Sequence, residues 1–321
     1  MHSYEELFKI AMQGICYASH LARNAPLVTA KLKDDQSVVS LYDVSIQMIF
    51  CYLFRDSPVD ILSEEEDNIF YKETLKILRE SVGTSTEEHR YIHSFLKEHS
   101  ISLDRMKPVI HSAKKTGNTT VVLDPIDGTR GFISGRSYSV VVSCIENNSA
   151  LFSIISCPKE GIVHYKCSMN TSGTFGYPHR KRVKVYALGD AYKASYSAFL
   201  NTLSLHICMS AESAHSSSLV EKYLSRMREI YPIVVHRMDG QGKYAYVATQ
   251  QMDIFLRLPS RKIEEKIWDH CAGIDMNCLS VVTDVYGTPL HPCTPPSYGV
   301  LASHCAIFHS ISLSILNQLL I

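Results

Sequence analysis

Asp124 and Asp127 stand three residues apart, after the apolar run Val121-Val122-Leu123 and before Gly128-Thr129. Two carboxylates this close, with the Ile126 carbonyl between them, present hard oxygen donors of the kind that hold Mg²⁺. Backbone N–H groups exposed at a turn suit a phosphate, and Gly128 permits a close backbone approach. Thr129 adds a hydroxyl that can orient a water while passing its own proton to a carboxylate. Hydrolysis of a phosphate monoester would use such a set. An enzyme must supply on the order of 20 kcal/mol or more to that reaction, mostly through positioning and charge stabilisation. Two cations roughly 4 Å apart can stabilise the attacking and leaving oxygens together, so further carboxylates must converge from distant segments. Candidates lie in Ser63-Glu64-Glu65-Glu66-Asp67, behind Ile61-Leu62, and in Glu265-Lys266-Ile267-Trp268-Asp269-His270-Cys271-Ala272-Gly273. Each segment also has a plainer use. Asp124–Asp127 could be an Asx turn closing a strand, the acidic run a solvated face, and Asp269 a first-turn acid facing a helix dipole beside a core Trp268.

Periodicity indicates the elements that must position these groups. Val121–Leu123 reads as a buried strand, and Pro125, with no N–H and a fixed φ, is expected to take the chain out of the sheet directly after Asp124. Ser3-x-x-Glu6 is a capping box ahead of Leu7, Ile10, Ala11, Ile15, Ala18 and Leu21 on one helical face. Ser40-x-x-Asp43 is a second, and as a cap Asp43 has a sufficient structural use. A third helix is expected within Thr84–His99, then strands at Thr119–Leu123, Tyr138–Ile145, Leu151–Ser156 and Ile162–Tyr165. The second half alternates helix Ser217–Ile230, strand Ile233–Val235, helix Gly242–Gln250, strand Asp253–Leu256, helix Glu265–Cys278, strand Ser280–Thr283 and a last apolar helix across Ile311–Ile321. This is α+β followed by α/β, a layered α/β architecture. A turn-rich break at Cys157-Pro158-Lys159-Glu160-Gly161 divides the chain into expected domains 1–158 and 159–321.

Composition narrows the function. At 321 residues two closely packed domains are expected. Lys+Arg and Asp+Glu both number 32, so no basic excess exists to hold a nucleic-acid polymer. His179-Arg180-Lys181-Arg182 reads as a solvated loop running into an edge strand at Val183-Lys184-Val185. Ten cysteines without Cys-x-x-Cys, several inside apolar runs, read as buried thiols of a reducing compartment rather than as disulfides or a zinc site. The first residues, with Glu5-Glu6, lack the apolar stretch of a signal peptide, and the last apolar run is too short to span a bilayer. A cytoplasmic protein without membrane association is the expectation. Asp239-Gly240-Gln241-Gly242-Lys243 looks like a phosphate loop but lacks the Walker spacing, with Tyr244 where Ser or Thr would be. His215-Ser216-Ser217 opens a helix, as an ordinary serine cap or as a phosphate-binding helix start.

Taken together, Asp124-Pro125-Ile126-Asp127-Gly128-Thr129, the acidic run at Glu64 and Trp268-Asp269 resemble the lithium-sensitive, magnesium-dependent phosphatase superfamily of inositol monophosphatase and fructose-1,6-bisphosphatase. Arg130-Gly131-Phe132, Trp-Asp-His at 268–270, Ala214-His215-Ser216-Ser217 and Lys243-Tyr244 resemble its 3′(2′),5′-bisphosphate nucleotidase branch, with matching blocks from about Lys33 to Ser303. The resemblance implies a layered α-β-α-β-α sandwich with the site between its halves, two or three Mg²⁺ ions, and inhibition by Li⁺. It implies metal ligation by Glu64, Asp124, the Ile126 carbonyl, Asp127 and Asp269, with Asp124 bridging. A one-residue slip would make Glu65 the ligand, although Ser63 fits where the family carries a small residue. Asp43 and Thr129 would activate the attacking water, a role that would displace the Asp43 cap. Gly128, Thr129, His215, Ser216, Gly240, Lys243, Arg257 and Asp269 would meet the substrate, with His215, Lys243 and Arg257 on the nucleotide and its non-scissile phosphate. From local sequence alone Arg257 could be a surface arginine.

The implied partner is a small nucleotide, adenosine 3′,5′-bisphosphate or its sulfated relative, acted on by a monomer. An inositol phosphate phosphatase and a catalytically silent nucleotide-binding regulator are the alternatives. Three positions depart from the pattern. Gly240 stands where those nucleotidases carry serine, Ser63 where glycine is common, and Asn277-Cys278-Leu279-Ser280 lacks the usual double glycine.

Overall fold

Ser3 opens α1 (Tyr4–Arg23) with the capping box its spacing predicts: Glu6 N–H donates to Ser3 Oγ at 3.3 Å and Ser3 N–H to Glu6 Oε2 at 2.7 Å. The computed structural model describes residues 3–26, 28, 30–32, 38–65, 76, 86–106, 119–167, 171–176 (backbone), 204–211, 218–259, 265–278 and 280–320. β1 (Ala30–Leu32) and β2 (Val38–Ser40) pair antiparallel, and the second capping box at Ser40 starts α2 (Leu41–Leu53). The helix expected before His99 is α3 (Glu87–Glu98), where Thr86 Oγ1 accepts from His89 N–H at 3.3 Å.

A six-stranded sheet follows chain order: β3 (Asp60–Ser63), β4 (Thr119–Asp127), β5 (Ser139–Glu146), β6 (Ser149–Cys157), β7 (Ile162–Cys167) and β8 (Thr171–Gly176). Only β3–β4 is parallel. α1 and α2 cover one face, burying Ile15, Leu21, Ile46 and Phe50 with Val121, Leu123, Val140 and Val142. The short α4 (Thr129–Ile133) leaves the end of β4.

A five-stranded sheet, β9 (Leu205–Ser210), β10 (Ile233–Met238), β11 (Ile254–Arg257), β12 (Val281–Thr283) and β13 (Val300–Ser303), has the order β10-β9-β11-β13-β12. β10, β9 and β11 run parallel, and β13 pairs antiparallel with β11 and β12. α5 (Ser218–Ile230) and α8 (Ala306–Leu319) pack on its outer face. α6 (Gly242–Ala248) and α7 (Cys271–Met276) lie between the sheets, where Val141 and Ile155 of one sheet meet Phe255 and Val300 of the other around Tyr244 and Ala272. The layers are α-β-α-β-α, as expected. Among the described residues no helix is long and apolar enough to cross a membrane, and all ten cysteines are free.

Three expectations change. β4 does not end at Asp124: Asp124 pairs with Val141 and Asp127 re-pairs with Ser139, so Pro125 sits in a one-residue bulge, where a missing N–H costs no ladder bond. The helix expected from Glu265 begins only at Cys271, because Asp269 N–H to Lys266 O (3.2 Å) and His270 N–H to Ile267 O (3.2 Å) fold 266–270 into tight turns. The turn-rich segment at Cys157–Gly161 is the hairpin joining β6 to β7 inside one sheet, and the described strands of the second sheet begin at Leu205. Residues 179–185 lie outside the described residues.

Candidate metal centre and active site

Strand alternation aims the acids. Val121 and Leu123 face the α1–α2 core, whereas Val122 faces the other way, onto Leu62, Cys271 and Trp268. Asp124 is two residues beyond Val122 and takes the same face. β3 pairs Leu62 with Val122 and Ser63 with Leu123, so the next residue, Glu64, arrives beside Asp124 on that face. Glu65, next along the alternation, falls on the opposite side; its N–H donates to Gln47 Oε1 at 3.1 Å and its carbonyl accepts from Gln47 Nε2 at 2.8 Å. The alternation therefore brings Glu64, not Glu65, to the acidic cluster. The bulge turns Asp127 inward, and the turns ahead of α7 bring in Asp269. Carboxylate oxygens of Asp124, Asp127 and Asp269 lie within 4.8 Å of one another.

Asp43 enters from the first turn of α2, fully buried. Its Oδ2 accepts from Ser40 N–H at 2.8 Å and Ser40 O–H at 2.5 Å, while Oδ1 takes Thr129 Oγ1 at 3.1 Å. The expected conflict between capping and a catalytic contact therefore does not arise, because each use has its own oxygen. Thr129 Oγ1 also lies 3.0 Å from the Ile126 carbonyl.

The β10–α6 turn closes the site from the second sheet. Gly128 has φ +88°, and a Cβ there would lie 2.9 Å from Gly240 N; Gly240 has φ +76°, and its Cβ would lie 2.6 Å from Ser139 Oγ and 2.9 Å from Asp127 O. Each position needs glycine for its backbone and for lack of room. Arg136 Nε to Asp239 Oδ2 (2.8 Å), Asp239 N–H to Ser137 Oγ (2.8 Å) and Gly242 N–H to Ser139 Oγ (3.0 Å) tie the two loops together. Lys243 is buried, its Nζ donating to Gly240 O at 2.5 Å and Met238 O at 3.2 Å.

Arg257 is no surface residue. Its side chain is 18% exposed and makes a bidentate pair with Glu265, at 3.0 Å from Nε and 2.8 Å from Nη2. His270 Nε2 reaches the same carboxylate at 3.0 Å, and Tyr244 OH lies 2.8 Å from His270 Nδ1. Gln241 donates from Nε2 to the Trp268 carbonyl at 2.8 Å, fixing the turn that carries Asp269. The shortened turn at Asn277 is closed by Asn277 Nδ2 donating to Tyr244 O and Gly273 O, both at 2.9 Å. His215 and Ser216 lie outside the described residues. Gln241, Glu265 and the link from His270 to Tyr244 were not assigned from sequence; an acid four residues before Asp269 was the one available signal.

Burial and like charge act together on these acids. Burial, then the charges of Glu64, Asp127, Asp269 and Asp43, hold Asp124 well above the usual carboxylate range. Burial pushes Asp127 up to about 6 against the pull of Lys243 and Arg257, and burial with the Asp127 charge pushes Asp269 to about 8. Burial alone would raise Glu265, but His270 and Arg257 overcome it and hold the carboxyl down at about 2. Asp124 Oδ1 is buried with no hydrogen-bond partner among the described residues, an expensive state for a carboxylate. An all-oxygen set of this kind fits Mg²⁺. Glu265, Asp269 and His270 also offer atoms within 4.8 Å, but the Arg257 guanidinium already fills the cation's place there.

Comparison with known proteins gives one family. The profile of the inositol monophosphatase family matches residues 36–315. The chain is 28% identical to the 3′(2′),5′-bisphosphate nucleotidase of Schizosaccharomyces pombe, over 91% of this chain and 88% of that protein. It is 23% identical to a probable 3′(2′),5′-bisphosphate nucleotidase of Arabidopsis thaliana, over 89% of this chain and 86% of the relative. Among solved structures it superposes on an IMPase of Thermotoga maritima with a TM-score of 0.63 at 16% identity, covering 98% of each chain.

Proposed function

The chain belongs to the inositol monophosphatase family, and from that premise we propose that it is a Mg²⁺-dependent phosphomonoesterase that removes the 3′-phosphate of adenosine 3′,5′-bisphosphate. The products are AMP and phosphate, and 3′-phosphoadenosine 5′-phosphosulfate is a second substrate. The observation that carries the phosphatase reading is the convergence of Glu64, Asp124, Asp127 and Asp269 beside the Asp43–Thr129 pair. The nucleotide half of the reading rests on the similarity to bisphosphate nucleotidases of fungi and plants.

Glu64, Asp124, Asp127, Asp269 and the Ile126 carbonyl would hold two or three Mg²⁺ ions. Bound there, Mg²⁺ supplies positive charge to the phosphoryl and leaving oxygens; a solved IMPase/NADP phosphatase of this fold is complexed with Mg²⁺ and phosphate. Thr129 Oγ1 donates to Asp43 Oδ1, which leaves its lone pairs to accept a proton from an incoming water. That water's oxygen bonds phosphorus while the bond from phosphorus to the 3′-oxygen breaks, and the leaving oxygen takes a proton from solvent. The Ser40 contacts hold Asp43 Oδ2 in place, and Oδ1 is the final proton acceptor. Arg257, with His215 and Lys243, would meet the nucleotide and its other phosphate, Ser216 would meet the substrate beside them, and Gly128 and Gly240 keep the walls of the site bare. The enzyme acts as a monomer on a free cytoplasmic nucleotide.

Released phosphate measured across bisphosphorylated nucleotides, 3′-mononucleotides and inositol monophosphates tests this reading. The expected result is the highest kcat/KM for adenosine 3′,5′-bisphosphate and inhibition by Li⁺ in about the millimolar range, since a small monovalent ion can replace reluctantly dehydrating Mg²⁺. Preference for inositol monophosphate would replace the nucleotidase reading with its sugar-phosphate alternative.

A further inference from the structure

Glu265 is a buried acid with two partners and three contacts to them. It holds Arg257 through both carboxylate oxygens, at 3.0 and 2.8 Å, and its Oε2 also faces His270 Nε2 at 3.0 Å. A carboxylate only accepts, so His270 Nε2 must carry the hydrogen. His270 Nδ1 then accepts from Tyr244 OH at 2.8 Å. Tyr244 is wedged edge-on against Phe255, with ring centroids 4.7 Å apart. The chain of contacts from Tyr244 through His270 holds Glu265 toward Arg257. Carboxylate oxygens of Glu265 and Asp269 lie within 4.8 Å, so the guanidinium stands within reach of two acids. Its charge is felt at Asp269 and at Asp127.

Either acid could hold this arginine, but the consequences differ. Closed onto Asp269, the guanidinium would compete with a cation for that carboxylate and place like charge beside it. Held by Glu265, it uses two of its five N–H donors there and leaves three for another partner. Resting on the metal-centre reading above, we propose that Glu265 is a positioning residue that keeps Arg257 off Asp269, so that Asp269 stays open to a divalent cation and the outer edge of Arg257 to an anion. His270 and Tyr244 hold Glu265 in that place.

Binding of Mn²⁺ to metal-stripped protein, followed by electron paramagnetic resonance, tests this without relying on turnover. Glu265→Gln is expected to weaken Mn²⁺ about tenfold, the low end for a disturbed interaction with a charged group. Adding Arg257→Gln to it should return affinity to within about threefold of wild type, because the competing cation is gone and the two sites are coupled. A merely structural role for Glu265 gives no such recovery, and a double variant as weak as the single overturns the proposal. Unchanged Mn²⁺ affinity in Glu265→Gln overturns it as well. Should Glu265→Gln not fold, His270→Leu, which loosens Glu265 without removing its charge, should weaken Mn²⁺ about threefold, a modest share of one such contact; no change there is equally fatal. Wild-type protein that binds no Mn²⁺ would remove the metal-centre reading and this inference together, whereas binding by the wild type with no response in the variants removes the inference alone.

Discussion

At the residue scale, Asp124 concentrates the physics of the site. It is buried, one of its oxygens has no partner among the described residues, and like charges surround it. Asp124→Asn should therefore separate function from stability. Turnover at saturating Mg²⁺ is expected to fall at least ~10²- to 10³-fold, comparable to losing a preorganised charge contact, while the melting temperature in EDTA stays level or rises because a repulsive charge is gone. Near-normal turnover would contradict the role given to Asp124. The carboxylates themselves were legible, since Asp124, Asp127 and Asp269 sit in short spaced motifs. Glu64 could be told from Glu65 only once β3 was registered on β4, because alternation, not composition, decides which acid points inward. Local sequence alone leaves Arg257 open as a surface arginine because its partner, Glu265, is fixed by a turn that periodicity does not reveal. Lys243 was read as a phosphate ligand, yet its ammonium is bonded to Gly240 O and Met238 O. Its loss would disturb the loop as well as any anion.

At the scale of elements, the β10–α6 turn and the bulge at the end of β4 form one joint. Gly240 sits at φ +76° with Ser139 Oγ 2.6 Å and Asp127 O 2.9 Å from where a Cβ would lie. The departure from the serine of the resembled nucleotidases thus has a steric reason in this chain. Gly240→Ser is expected to destabilise the fold by about 1–3 kcal/mol, from left-handed backbone strain and overpacking, read as a lower urea midpoint with unchanged m-value. A variant as stable as wild type would show that the joint opens freely. The capping boxes at Ser3 and Ser40 were visible in sequence because a cap is a local pattern. The bulge was not, since proline signals a lost ladder bond but does not say that Asp127 re-pairs with Ser139. Likewise α7 reads as two turns longer than it is, because Asp269 turns back onto Lys266 N–H at 3.4 Å.

For the whole molecule, alternating strands and helices foretold a layered α/β fold and the family resemblance its five layers, but a turn-rich segment at Cys157–Gly161 looked like a boundary and is a hairpin. A break between sheets depends on long-range pairing that no single segment records. The layered fold places the acids between the two sheets, and that burial has a global consequence. Asp127 and Asp269 are raised to about 6 and about 8 from 3.8. A carboxyl raised on folding contributes stability that is present below the unfolded value and lost as pH rises through the folded one. The metal-free melting temperature should therefore fall between about pH 4 and pH 8, and saturating Mg²⁺ should remove most of that fall by replacing the protons. A flat metal-free profile over that range would contradict the raised carboxyls. The central claim, that this carboxylate cluster is a metal-dependent centre cleaving the 3′-phosphate of a bisphosphorylated nucleotide, is tested most directly by phosphorus NMR of adenosine 3′,5′-bisphosphate incubated with EDTA-stripped protein before and after Mg²⁺ addition. The account predicts no change until Mg²⁺ is added, then loss of the 3′-phosphate resonance with AMP and inorganic phosphate appearing in equal amounts; hydrolysis that proceeds undiminished in EDTA, or release of the 5′-phosphate instead, would contradict it.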